Sequence, residues 1–196
     1  MRVPADAARL LAGGGMALLP TDTVYGIACA AADVDACGRL YALKQRPATQ
    51  ATAAVLGSLP ALQALLPEMG PRAAAACRAL LPGPYTLIVP NPDGRLAHLC
   101  GDAPERIGLR VPLLDPDVAG LADGAGGLLM TSANLRGGPD PSRLDQVPAP
   151  LREAAAFEVD GGPLNGVPST VIDVTGPEPR VLREGPGLER ALELLR

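Results

Sequence analysis

Lysine is almost missing from this sequence: of 17 Lys and Arg residues, Lys44 is the single lysine. Tryptophan is absent, and one Phe and three Tyr complete the aromatics. So few rings leave little of the stacking platform on which proteins hold single-stranded nucleic acid. The net charge of −4 lacks the overall basic footprint of a dedicated nucleic-acid binder. The one histidine, His98, gives a His/Cys zinc site few candidate ligands. With no GxSxG elbow beside it, a Ser-His-Asp triad is equally poorly served. Cys29, Cys37, Cys77 and Cys100 show no CxxC spacing and read as buried thiols. No residue is assigned as a metal ligand. No run of about 18 apolar residues is present to span a membrane. The first fifteen residues carry Asp6 and break at Gly13, Gly14 and Gly15, unlike a signal peptide, so a cytoplasmic location is expected.

What is present suits a folded core. The 196 residues are 47% hydrophobic and 19% charged, and one domain over residues 1–196 is expected. Helical spacing predicts helices over 6–12, 34–45, 71–81, about 115–123 and 187–195, with another from a Ser58 cap through Leu66. Strands are predicted at 16–20, 52–57, 85–90, 106–112, 127–132, 157–160, 169–174 and 180–184. Runs such as TLIV and GLLM lack alternation, as strands covered on both faces do. The Pro/Gly-rich stretch 137–150 reads as a long surface loop. The fold class is therefore α/β, an open twisted mixed sheet flanked by helices.

Polar clusters recur where strands end, which is where open α/β sheets bind ligands. PTDTVYG (Pro20–Gly26) crowds Thr21, Asp22, Thr23 and Tyr25 together, fit for a small polar ligand or for a cap and turn. LKQRP (Leu43–Pro47) sets Lys44 and Arg46 at a helix C-terminus, where they complement the helix dipole or seat a polyphosphate. PGPYTLIVP (Pro82–Pro90) reads as architecture. GLRVP (Gly108–Pro112) puts Arg110 in an apolar strand, facing away from Leu109 and Val111. Buried, it needs an anion, either an internal carboxylate or that of a ligand. TSANLRGG (Thr131–Gly138) supplies Thr131, Ser132 and Asn134 on a glycine-backed bend, with Ser142 further along the same loop. It fits an anion or nucleotide cradle but matches neither GxxxxGK[ST] nor GxGxxG. PSTVID (Pro168–Asp173) and VLREGPG (Val181–Gly187) add Ser169 and Arg183.

These seven motifs, in this order from about residue 16 to 187, resemble the YrdC-type threonylcarbamoyl-AMP synthase family, in its short bacterial form. The resemblance implies a YrdC-like sheet with a concave, locally positive cleft. It also implies an enzyme condensing L-threonine, bicarbonate and ATP to threonylcarbamoyl-AMP and pyrophosphate, with Mg²⁺ accompanying ATP. A threonylcarbamoyl-transferase complex would then modify an adenosine in tRNA. By the same resemblance, Lys44 and Arg46 are the catalytic pair. Lys44, Arg46, Gln50, Ser132, Asn134, Ser142 and Arg183 bind ATP, and Thr23, Arg110, Thr131 and Ser169 bind threonine. One stretch departs from the pattern: after LKQRP the family continues with Lys or Asn and an apolar run, whereas this chain reads ATQATAA. Gln50 thus stands at a position of nucleotide contact inside a segment of unusual composition. Two other readings share the fold. One is a related carbamoyl-adenylate-forming enzyme, like the corresponding domain of hydrogenase maturation proteins; those are longer and carry cysteine pairs that are missing here. The other is an RNA-binding or ribosome-assembly module.

Overall fold

The computed structural model describes residues 1–65 and 67–195. Helix α1 (Ala7–Ala12) runs into the three glycines and turns into β1 (Met16–Leu19). Strand β2 (Gly26–Ala30) follows the PTDTVYG loop, and α2 (Val34–Leu43) begins where the Asp33 carboxylate accepts the Ala36 amide at 2.9 Å. Next come β3 (Ala53–Val55) and α3 (Leu59–Leu65), whose first turn donates the Ala61 amide to Ser58 Oγ. Leu66, the expected end of that helix, lies outside the described residues. Pro71 opens α4 (Pro71–Leu80), at a first-turn position that needs no amide donor. The chain continues through β4 (Tyr85–Pro90), β5 (Arg106–Arg110), α5 (Pro116–Gly124) and β6 (Leu128–Ser132). It closes with α6 (Ala149–Ala154), β7 (Ala155–Glu158), β8 (Thr170–Asp173), β9 (Arg180–Arg183) and α7 (Leu188–Leu194).

All nine described strands join one sheet in the order β7-β1-β2-β6-β3-β5-β4-β8-β9. Pairings β1–β7, β3–β5 and β4–β8 are parallel and the other five antiparallel, so the sheet is mixed, as expected. Two elements escaped the sequence reading. Strand β2 is built from Gly, Ile, Ala and Cys, a composition with little strand preference of its own. Its extended form comes from ladders to β1 on one side and β6 on the other. Helix α6 starts within the 137–150 stretch read as loop, at Ala149, once Pro148 has closed that loop.

The two faces of the sheet are covered unequally. One face carries the larger core, where Ile27, Leu87, Leu109, Leu129 and Ile172 pack beneath Leu40 of α2 and Cys77 and Leu80 of α4. On the other face a smaller core joins Leu19, Ala28, Val55 and Leu128 to Leu11 of α1 and to Val118 and Leu121 of α5. That second cover extends over β7, β1, β2 and β6 as far as Val55 of β3. Beyond it, the alternate residues of β3, β5, β4 and β8 (Ala53, Gly108, Arg110, Thr86, Ile88, Val171) line an open cleft. Period-two alternation therefore puts large apolar side chains on the covered face, while the same strands give the cleft a mixed lining that includes Thr86 and Arg110.

Candidate functional site

The cleft holds about 630 Å³, within the roughly 300–1,000 Å³ range of small-molecule sites. Arg46, Arg106, Arg110, Arg180 and Arg183 line it, against Asp102 and Asp140. Of the residues named from the motifs, Arg46, Arg110, Thr131, Ser132, Ser169 and Arg183 all face this space.

Lys44 stands one layer behind Thr131 and Ser132. Helix α2 ends at Leu43, and Gln45 takes a left-handed conformation (φ +52°), which turns the chain sharply. Lys44 Nζ then donates to Asn134 Oδ1 at 3.0 Å, to Thr131 Oγ1 at 3.4 Å and to the Ser132 carbonyl. Ser132 Oγ donates to the same Asn134 oxygen at 2.7 Å, and Asn134 Nδ2 closes the bend by donating to the Gly138 carbonyl at 2.7 Å. Residues 87 to 90 positions apart thus form one bonded cluster. Burial pushes the Lys44 ammonium down to about 8, the like charge of Arg46 adds to this, and Asp140 opposes it. Arg46 donates through Nε to the Gln50 carbonyl at 3.3 Å and through Nη2 to the Ala51 carbonyl. The Gln50 side chain is exposed, and its neighbours Thr49 and Ala51 line the cleft instead.

At the opposite wall, Arg183 donates to the Ser169 carbonyl at 2.9 Å and to Ser169 Oγ at 3.0 Å. Ser169 Oγ also shares a 2.8 Å hydrogen bond with Thr86 Oγ1. A Cβ on Gly185 would stand 2.4 Å from the Pro168 carbonyl, so glycine is what lets VLREGPG close on PSTVID. Arg46 and Arg183 are, like Lys44, held below their usual range chiefly by burial. All three bond to neutral oxygens, and among the described residues none forms a salt bridge. Asp140 acts on Lys44 and Arg183 through space, but among the described residues no carboxylate contacts any of the three, an arrangement that suits an incoming anion.

Arg110 differs. Its Nη2 donates to Asp22 Oδ1 at 2.5 Å and to Thr23 Oγ1 at 2.7 Å, while its buried Nε finds no partner. The internal carboxylate that the sequence left open is therefore Asp22, and among the described residues only Nη2 of the guanidinium is engaged. Ser142 is not among the residues lining the cleft; its amide and hydroxyl donate to Gln146 Oε1. The Pro141 carbonyl beside it accepts the Tyr25 amide at 2.9 Å, which joins that loop to PTDTVYG. Sequence reading missed Thr86, Arg106 and Arg180 as cleft residues. Period two was the available signal, since Thr86 shares a face with Ile88, and Arg106 with Gly108 and Arg110. All four cysteines are free and buried, and His98 Nε2 pairs with the Ala31 carbonyl at 2.8 Å. Among the described residues no helix is long and apolar enough to cross a membrane.

Hydroxyls and arginines at strand ends and a lysine at a helix end, on a half-covered mixed sheet, define an arginine-lined cleft unlike the P-loop or the Rossmann crossover. Its family follows from comparison: the profile of the Sua5_yciO_yrdC family, described as Telomere recombination, matches residues 9–185, and the chain belongs to that family. A Mycobacterium tuberculosis protein provisionally named threonylcarbamoyl-AMP synthase is 35% identical over 192 residues, which cover 97% of this chain and 88% of the relative. The threonylcarbamoyl-AMP synthase of Bacillus subtilis is 31% identical over 182 residues, 92% of this chain and 53% of the relative. The structure of Pyrococcus abyssi Sua5 complexed with L-threonine superposes with a TM-score of 0.80 at 27% identity, covering 97% of this chain and 57% of that one. The chain thus spans about half the length of these last two relatives.

Proposed function

We propose that this chain is a threonylcarbamoyl-AMP synthase, a nucleotidyltransferase that condenses L-threonine, bicarbonate and ATP. The observation that carries the reading is one cleft edged by two kinds of cation. Lys44, Arg46 and Arg183 bring positive charge with no carboxylate in contact among the described residues, and Arg110, beside Thr23, brings guanidinium donors that Asp22 does not take. The first group suits a triphosphate and the second an amino-acid carboxylate. The relatives' names and the threonine bound in the Pyrococcus abyssi structure support the same pairing.

In this reading the cleft is locally positive although the whole chain is not. Arg110 grips the threonine carboxylate, with Thr23, Thr131 and Ser169 around the rest of the amino acid. The amine, once deprotonated, adds to the carbon of carbon dioxide with loss of a proton, or to that of bicarbonate with loss of water. The resulting carbamate oxygen attacks the α-phosphorus, and the bond to pyrophosphate breaks. Little acid–base machinery is needed; positioning and charge neutralisation do the work. Lys44 and Arg46 neutralise the phosphate oxygens, Ser132, Asn134 and Ser142 donate or orient, Arg183 closes the opposite side, and Gln50 contributes from the rim. Mg²⁺ would accompany ATP; among the described residues no three His, Cys, Asp or Glu cluster to hold a metal. Bound, it would shield phosphate charge. The chain acts as one domain in the cytoplasm and hands its product to a threonylcarbamoyl-transferase complex for tRNA modification.

Purified protein with ATP, bicarbonate and Mg²⁺ is expected to release pyrophosphate only when threonine is added. Release with serine or carbamoyl phosphate and none with threonine would favour the related carbamoyl-adenylate enzyme. Retention of RNA without any pyrophosphate release would favour the binding module.

A further inference from the structure

We infer that Asp22 is a positioning residue for the amino-acid end of the cleft, holding Arg110 in its binding pose before threonine arrives. The inference rests on the functional reading above and adds to it a residue outside the set assigned from the motifs.

The Asp22 carboxylate uses both oxygens, one on Arg110 Nη2 at 2.5 Å and the other on the backbone amide of Leu113 at 3.0 Å. One side chain from the β1–β2 loop thus fixes both the guanidinium and the chain leaving β5. Both partners are shielded, with about a tenth of each side chain exposed. A guanidinium so placed loses hydration, and burial does draw Arg110 down while Asp22 draws it back. Arg183 acts on it as a like charge. Without Asp22, Arg110 would keep only the neutral Thr23 hydroxyl at 2.7 Å and would be pushed by its neighbour.

Asp22 and Thr23 both draw on Nη2, and among the described residues neither Nη1 nor the enclosed Nε makes a hydrogen bond. Asp22 occupies Nη2 and does not reach Nε, so the arginine is anchored without being spent. A ligand carboxylate then meets a cation already oriented, and binding loses less freedom than it would with a mobile side chain. The opposite role is also conceivable chemically: Asp22 could compete with threonine for Arg110, in which case its removal tightens binding. The sign of the effect separates the two.

The test is threonine-dependent pyrophosphate release by wild type, Asp22→Asn, Arg110→Ala and the double variant, with KM measured for threonine and ATP. Asp22→Asn is expected to raise the threonine KM about tenfold and to leave kcat and the ATP KM within about twofold. In the Arg110→Ala background the same change is expected to add less than about twofold, because its route is already gone. Equal rises in both KM values, a lowered threonine KM, or a full additional loss in the double variant would each overturn the inference. If Asp22→Asn does not melt cooperatively above the assay temperature, Asp22→Glu is measured against the same outcomes. Wild type without threonine-dependent release would sink the functional reading and this inference together. An active wild type with an unchanged Asp22→Asn threonine KM would sink the inference alone.

Discussion

Replacing Lys44 by alanine separates a phosphate-binding role from a structural one, because the two predict different balances of stability and activity. The change removes three donors. Asn134 Oδ1 keeps the Ser132 hydroxyl at 2.7 Å, and the Thr131 hydroxyl can turn, so the Ser132 carbonyl is the one acceptor left without this partner. An unmet buried acceptor costs about 1–3 kcal/mol. Against this, the fold no longer has to desolvate an ammonium, the burden that holds Lys44 near 8. The two contributions oppose each other, and the net change in unfolding free energy by urea titration is expected within about 1.5 kcal/mol of wild type. The activity has no such offset. Loss of a cation aimed at charge on transferring phosphate oxygens is expected to cost about 10²-fold in kcat/KM for ATP, roughly 2.7 kcal/mol. A variant that unfolds at assay temperature, with activity tracking the folded fraction, would make Lys44 a structural pin. A stable variant within about fivefold of wild type would remove it from catalysis altogether.

Three further outcomes are expected. Arg110→Ala should raise the threonine KM at least about thirtyfold and change the ATP KM little, since a bidentate carboxylate contact is what it loses; equal effects on both substrates would contradict that role. Affinity for a non-hydrolysable ATP analogue, measured by calorimetry, should fall as pH rises through about 8, where free Lys44 gives up its proton, whereas Lys44→Met should show no such step. The stability sign is opposite: a folded value depressed below the unfolded one makes the wild-type fold gain on Lys44→Met between about pH 8 and 10.5, because the unfolded chain then holds the extra proton. Tyr25→Phe should destabilise by about 1–3 kcal/mol in urea titrations, because the buried hydroxyl accepts the Gly161 amide and has its one hydrogen between Asp160 Oδ1 and the Gly162 carbonyl, tying the loop around residue 160 to PTDTVYG. Unchanged stability would show that loop to be held by other contacts.

Much of the fold was legible in linear order. Seven short motifs, LKQRP at a helix end and the others along or beside strands, supplied six residues that line one cleft, and strand-like runs located eight of the nine described strands. A lone lysine among sixteen arginines pointed to Lys44 before any coordinates did. Such signals are local: strand period, helix caps and proline stops act over a few residues and leave their mark in sequence.

Pairing was not legible. Asp22 and Arg110 are 88 positions apart, and nothing at either site says that they meet or that Nε is left over. Strand β2 has no sequence signature, because its neighbours rather than its side chains make it extended. The cleft itself follows from where α1 and α5 stop covering the sheet, a property of helix placement. Local propensity determines which segments are strands and which residues can bind an anion. Only the tertiary arrangement decides which charges are neutralised inside the fold and which are left for a ligand, because compensation depends on distance across the chain and not along it.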